Sequence, residues 1–371
     1  MPKTRLRGVR KPPQCARPVT DLAQPQLALR ILLTIVVGSA GGAVFAWLKL
    51  PLPWMLGSLC AVTLAALMGA PMRFTQRGRS VMAVVLGVLL GSTFTPDLFA
   101  RLGSLLSMLG VLAIYVFASM ALGMGYFLWI AKQDRVTAYF CSAPGGFAEM
   151  ILVGEAMGAE PRQLSLAHAV RVLMTVLAVP LWFRYGADIP SSDMVRPMVL
   201  AIPWQDGGIL VACGVAGWFV ASRIKLGAAP MLGPMAFSAA AHISGLTEFA
   251  PPFWLVAAAQ VALGAAAGAR FAGLALAVVG RALAIALGWS VLLLGLLAAL
   301  AKAAEHLAGF DYAVVMLAMA PAGMAEMGLV ALALGIDTAF VSTVQVIRLT
   351  SVVVLTPSLF RLLGWKREAP S

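Results

Sequence analysis

One seven-residue stretch of this chain is written twice, and both copies interrupt apolar sequence. Pro144-Gly145-Gly146-Phe147-Ala148-Glu149-Met150 returns as Pro321-Ala322-Gly323-Met324-Ala325-Glu326-Met327, 177 residues later. The same offset aligns Gly87 and Gly91 with Gly264 and Gly268, Phe94 with Phe271, Gly158 with Gly335, Arg171 with Arg348, Pro180 with Pro357 and Arg184 with Arg361. Met55-Leu56-Gly57 matches Met231-Leu232-Gly233 at an offset of 176. The chain is a tandem duplication. Whatever it folds into must hold a helix breaker and a carboxylate inside an apolar segment, twice. In hydrocarbon that combination is unfavourable and points to a site.

The surroundings of the breaks are those of a membrane protein. The chain is 61% hydrophobic and 11% charged, against about 25% charged for an average soluble domain. Its mean hydropathy is +0.92. Six apolar segments fall in each half, at about 29–48, 53–70, 78–95, 103–130, 136–158 and 163–184, then 207–222, 229–246, 252–272, 275–300, 311–335 and 337–360. Several exceed the roughly 20 residues that cross a hydrocarbon core. The fold class expected is an all-α integral membrane protein of two tandem repeats. The expected layout is a basic tail over 1–28, repeats over 29–184 and 207–364 joined by a polar linker over 185–206, and a short tail over 365–371.

Twelve apolar segments do not require twelve crossings. The fifth of each half carries the break, so it reads as a broken helix or a re-entrant loop, which is tolerated where protein or a water-filled cavity surrounds it. Six crossings per half make the repeats parallel; five make them inverted. Loop charge favours inversion. Arg73, Arg77 and Arg79 follow the second segment of the first half, whereas the matching loop carries Glu248 and no basic residue. The first loop has only Lys49, and its counterpart has Arg223 and Lys225. Short cytoplasmic loops are enriched in Lys and Arg, so the reciprocal pattern predicts inverted halves, about ten crossings and both termini cytoplasmic, in a bacterial inner membrane.

Several function classes recede. The net charge is +12, but residues 1–30 hold seven Lys and Arg against Asp21, in a Pro-containing tail read as a disordered topology signal at an anionic lipid surface rather than a nucleic-acid binder. The charged region is too long for a signal peptide, and the apolar run after it is of spanning length. Four cysteines (Cys15, Cys60, Cys141, Cys213) show no paired spacing, so neither disulfides nor a zinc site is expected. His168, His242 and His306 are far apart, and no nucleophile elbow, P-loop or dinucleotide fingerprint is present. No metal, cofactor or catalytic set is therefore expected. Gly87-x-x-x-Gly91 and Gly264-x-x-x-Gly268 suit close helix packing within the bundle, with a homodimer face as the alternative.

The candidate binding residues gather at the breaks. Pro144, Gly145, Gly146, Pro321 and Gly323 free backbone groups, and Glu149 and Glu326 follow at a half-helix start whose N–H donors and positive dipole end suit a ligand. The bland alternative is a glutamate that only caps its own helix. Arg171 and Arg348 fall inside the sixth segments, 22 residues beyond each glutamate, and need partners. Glu149 with Arg171 and Glu326 with Arg348 are the economical ion pairs; otherwise the arginines hold an anion. His168 and Gln345 precede these arginines by three residues, on the same helix face.

The Pro-Trp-Met-Leu-Gly stretch at 53–57, Pro-Met-Leu-Gly-Pro at 230–234, the two Pro-x-Gly-x-Ala-Glu-Met motifs and the trailing arginines resemble the AbrB-type membrane protein family over about residues 29–364. That resemblance implies a duplicated polytopic membrane protein. Family members carry labels of transcriptional regulator or ammonia monooxygenase, the former shared with an unrelated small soluble DNA-binding protein. This chain departs from strict repetition, with Ala322 in place of the first Gly and Gln345 in place of His168. The expected function is a secondary transporter for a small solute, with the bilayer and a coupling ion or proton as partners and no nucleic acid. The rivals are a membrane sensor acting indirectly on gene expression and a membrane enzyme subunit.

Overall fold

The computed structural model describes residues 24–50, 52–96, 102–185, 202–224, 226, 228–273 and 276–362, with only the backbone given at 24, 25, 102, 147–149 and 276–279. Among the described residues there are helices and connecting turns and no strand. The first half contains α1 (Gln24–Trp47), α2 (Pro53–Leu67), α3 (Gln76–Gly91), α4 (Leu102–Gly125, extended by a π-helical turn over Tyr126–Ile130), α5 (Arg135–Ser142), α6 (Phe147–Ala156) and α7 (Pro161–Tyr185). The second contains α8 (Trp204–Arg223), α9 (Ala229–Ile243), α10 (Phe253–Gly268, closed by a 3₁₀ turn over Ala269–Phe271), α11 (Leu276–Ala308), α12 (Tyr312–Met319), α13 (Met324–Ala333) and α14 (Thr338–Leu362). Five of the seven matched pairs have equal lengths: 15 residues for α2 and α9, 16 for α3 and α10, 8 for α5 and α12, 10 for α6 and α13, and 25 for α7 and α14. Helix α1 begins at Gln24, inside the stretch expected to be tail, and residues 1–23 lie outside the described part.

Local chemistry sets these boundaries. Pro53 and Pro230 sit in the first turns of α2 and α9, where a missing N–H leaves no bond unmade. Asp134 caps α5 by accepting from the Thr137 N–H, and Asp311 caps α12 by accepting from the N–H groups of Ala313 and Val314. Both short helices stop where Pro forces its predecessor out of helical geometry: Ala143 has ψ 123° and Ala320 ψ 128°. Helices α6 and α13 then start at Gly146 and Gly323 with no side-chain cap.

Six helices are long and apolar enough to cross a membrane: Gln26–Trp47, Gly103–Ile130, Pro161–Tyr185, Phe253–Phe271, Gly280–Ala308 and Thr338–Leu362. Large apolar side chains such as Leu29, Leu106, Ile114 and Val291 are exposed along them, a surface suited to lipid rather than water. Exposed Trp47, Trp129, Trp204 and Trp254 stand at helix ends, as interfacial tryptophans do.

The packing sorts the helices into two bundles, one built from α1–α3 and α8–α10, the other from α4–α7 and α11–α14. In the first, the halves interlock through the two GxxxG faces. A Cβ on Gly87 or Gly91 would fall 2.5 Å from the carbonyl oxygen of Met231 or Met235 in α9, and one on Gly264 would fall 2.4 Å from that of Met55 in α2. Hydrogen bonds from Ser238 Oγ to the Val88 carbonyl (2.8 Å) and from Ser58 Oγ to the Val261 carbonyl (3.2 Å) seal these contacts. In the second bundle α4 and α11, which hold equivalent places in the two halves, run antiparallel. The end of α4 (Phe127) faces the start of α11 (Arg281, Ile285), and the start of α4 (Gly103, Ser107) faces the end of α11 (Ala308). The bundles meet where α3 touches α13 and α14, with Leu90 packed on Gly328.

Candidate functional site

Each interrupted segment is a helical hairpin rather than a kinked crossing. The Glu160 N–H, just before α7, donates to Thr137 Oγ1 in the first turn of α5 at 2.9 Å. The chain therefore leaves the hairpin near where it entered. A straight passage through eight and ten residues would separate those ends by about 27 Å. In the second half the roots are likewise adjacent, because Asp311 and Val314 of the α12 start line one cleft with Asp337 and Phe340 of the α14 start.

The tips of the hairpins are held by the arginines. A chain that breaks its helix leaves carbonyls without i+4 donors, and a buried carbonyl needs a donor from elsewhere. Arg171, 2% exposed, donates from Nη1 to the Ala143 carbonyl (2.8 Å) and from Nη2 to the Gly145 carbonyl (2.7 Å). Arg348, 5% exposed, donates from Nη2 to the Ala322 carbonyl (3.3 Å), the match of Gly145, and from Nη1 across to the Pro144 carbonyl (3.2 Å). One arginine thus serves its own hairpin, and the other ties the two hairpins together. The tip at Gly145 also packs against Val352 of α14, from the other half.

The expected Glu326–Arg348 ion pair is absent among the described residues: the guanidinium goes to peptide carbonyls, and its Nε has no hydrogen-bond partner. Arg171 shows the same pattern, with both terminal nitrogens on carbonyls and Nε unpartnered. The Glu149 side chain lies outside the described residues. Gln345 Nε2 donates to the Leu317 carbonyl at 2.6 Å and so steadies α12 from α14. Its counterpart His168 is fully buried, and its ring faces the backbone of Phe140, the match of Leu317. The two half-sites are unequal in their arginine bonds.

Pro144, Gly145, Gly146, Arg171, Gly323, Glu326, Gln345 and Arg348 line one cavity of about 410 Å³. Pro321 is buried and, like His168, is not part of its wall. Glu326 is the third residue of α13, half-buried, and its carboxylate folds over Gly323: a Cβ there would overlap it. The mouth is made by residues not anticipated from the breaks, chiefly Arg79 and Ser80 of α3, Ala228 at the start of α9, and Arg270 at the end of α10. Arg270 had a signal, being a cation inside an apolar segment like Arg171; Arg79 reads as an ordinary loop charge. Tyr115 of α4 is fully buried beside Arg171 and Arg348 with its hydroxyl unpartnered, and nothing in the repeat pattern marks it. No group of three His, Cys, Asp or Glu that would hold a metal exists among the described residues.

Residues 54–364 match the AbrB family, described as Transition state regulatory protein AbrB. The chain belongs to the AbrB family. It is similar to "Uncharacterized protein YhjN" of Bacillus subtilis (strain 168), at 29% identity over 92% of this chain and 96% of that protein. It is also similar to "Putative regulator AbrB" of Escherichia coli (strain K12), at 23% identity over 86% of this chain and 92% of that protein. The matched residues include every residue lining the cavity and leave out α1 of the first bundle.

Proposed function

We propose that this AbrB-family protein is a secondary transporter of a small solute, built as two inverted repeats with ten membrane crossings and two re-entrant hairpins. The observation that carries the reading is that the tips of both hairpins meet in a cavity open at one side. Depth supports it. Arg171 lies ten residues into α7 and Arg348 ten into α14, each about 15 Å from its helix start and so near the middle of a 30 Å hydrocarbon core. The antiparallel run of α4 and α11 supports opposite entry of the two hairpins.

Charge supports the orientation. With the N-terminus cytoplasmic, Arg73, Arg77, Lys132, Arg135, Arg162, Arg223 and Arg281 fall on the cytoplasmic side, and Lys49, Arg184 and Lys302 fall outside. Both termini are then cytoplasmic, the membrane is the bacterial inner one, and the cavity opens inward at the start of α3 and α9. Solute reaches the outside when the hairpin bundle shifts against the six-helix bundle across the α3 contact, exchanging one opening for the other. This role requires no catalysis and no direct contact with nucleic acid.

The test is solute flux in proteoliposomes, wild type beside Arg348→Gln. Counterflow of a labelled solute that the variant loses upholds the reading. Absence of flux for every solute that stabilises the purified protein overturns it. The family description and the Escherichia coli relative's name favour one second reading, in which the solute carried or sensed changes gene expression indirectly.

A further inference from the structure

We propose that the ligand of the 410 Å³ cavity is a small organic anion, its carboxylate or phosphate group seated at the amino end of α13 beside Arg348, with Arg79 and Arg270 at the mouth. This rests on the transporter reading for the biological role of the site, but not for the binding itself.

Four observations converge. The wall carries Arg79, Arg171 and Arg348 besides Arg270 and Glu326, whose opposite charges act on each other, so positive charge is in excess among the described residues. Arg171 and Arg348 are nine-tenths or more buried, close enough to repel each other, and bonded to neutral carbonyls. Each keeps one buried guanidinium nitrogen without a partner. A buried cation without a counter-charge is unfavourable, and an anionic ligand is the group that would relieve it. Next, α13 is a ten-residue helix whose first turn opens on the cavity with no side-chain cap, so its N–H groups and positive end are directed at a ligand. Finally, the Glu326 carboxylate curls back over Gly323 at that same end. It occupies, from within the chain, the place an incoming anion would take. A volume of about 410 Å³ suits a metabolite rather than a peptide.

The competition makes the proposal specific. An anion that enters meets the Glu326 charge, so removal of that charge should tighten anion binding, by about tenfold for charges several ångströms apart in a partly buried site. A site that used Glu326 to hold a cation or orient a neutral solute would behave in the opposite way.

The experiment is thermal stability and calorimetric titration of the full chain in nanodiscs, with acetate, succinate, citrate and phosphate as probes and succinamide and putrescine as neutral and cationic controls. Expected is saturable stabilisation by at least one anion and none by the controls. Glu326→Gln should tighten that anion about tenfold, and Arg79→Gln, at the mouth and away from the hairpin bonds, should weaken it about tenfold. A response to phosphate alone upholds the anion site and assigns it to a phosphate rather than a carboxylate. Stabilisation by succinamide or putrescine, no response to any of the four anions, or weaker anion binding in Glu326→Gln overturns the proposal. The two readings fail separately. An anion that binds but does not cross a proteoliposome membrane sinks transport and leaves the site. A neutral solute that crosses while no anion binds sinks the site and leaves transport.

Discussion

Replacing Gly91 by alanine should separate the two halves of the six-helix bundle. An added Cβ would lie 2.5 Å from the Met235 carbonyl oxygen, 2.6 Å from Ser238 Cβ and 2.9 Å from the Ala239 nitrogen. Ordinary contacts begin near 3.4 Å, and two of these three atoms are backbone, so no side-chain rotation relieves the overlap. Helices α3 and α9 must move apart by about 1 Å. That shift would stretch the 2.8 Å bond from Ser238 Oγ to the Val88 carbonyl beyond hydrogen-bonding range. Loss of the bond is worth about 1 kcal/mol, and overpacking of a close contact about 1–3 kcal/mol, so the variant should be destabilised by about 2–4 kcal/mol. Gly110→Ala is the control. Gly110 lies in α4 with nothing within 4 Å of its added Cβ, and alanine there should be neutral or stabilising by up to about 1 kcal/mol. Reversible unfolding of the detergent-solubilised protein in SDS, followed by tryptophan fluorescence, reads the difference. Equal stability of the two variants would refute the interlocked packing.

Three further outcomes follow from the site. Arg171→Lys should be destabilised by about 2–4 kcal/mol in the same assay, because an ammonium cannot span the Ala143 and Gly145 carbonyls held at 2.8 and 2.7 Å; Arg348→Lys, with bonds of 3.2 and 3.3 Å, should lose less stability. Equal losses would contradict the difference in their bonding. His168→Gln should change stability by less than about 1 kcal/mol, since the ring faces the Phe140 backbone as Gln345 faces its match, Leu317, and a glutamine amide can serve there; a large loss in the thermal melt would show that the imidazole does what an amide cannot. Gln345→Leu should weaken the protein by about 1–2 kcal/mol through the orphaned Leu317 carbonyl, and a wild-type melting temperature would argue against that bond.

Much of this architecture was legible because its signals are local. Pro after Ala143 and Ala320 ends a helix wherever it occurs, and Asp134 and Asp311 mark the starts of the short helices they cap. The GxxxG faces announced close packing, but their partners were not legible. That α3 pairs with α9 and α10 with α2 depends on how two halves meet in space, which no spacing along the chain encodes. The arginines mislead in an instructive way. Sequence offers carboxylates as the evident partners of a buried cation, whereas the helix break creates a set of unbonded carbonyls that leaves no mark in side-chain chemistry. The mouth residues Arg79 and Arg270 come from helices far from the repeated motif and join the site only through the contact between bundles.

The claim on which the account turns is that the two hairpins enter the membrane from opposite faces. The direct test is sided thiol labelling in intact cells and inverted vesicles, in a background with all four cysteines replaced. One variant carries Arg162→Cys, exposed beside the root of the first hairpin, and the other Ala308→Cys, exposed beside the root of the second. An impermeant maleimide should label position 162 only from the cytoplasmic side and position 308 only from the other. Labelling of both positions from the same side would contradict inverted halves, and with them the meeting of the hairpins at the middle of the membrane.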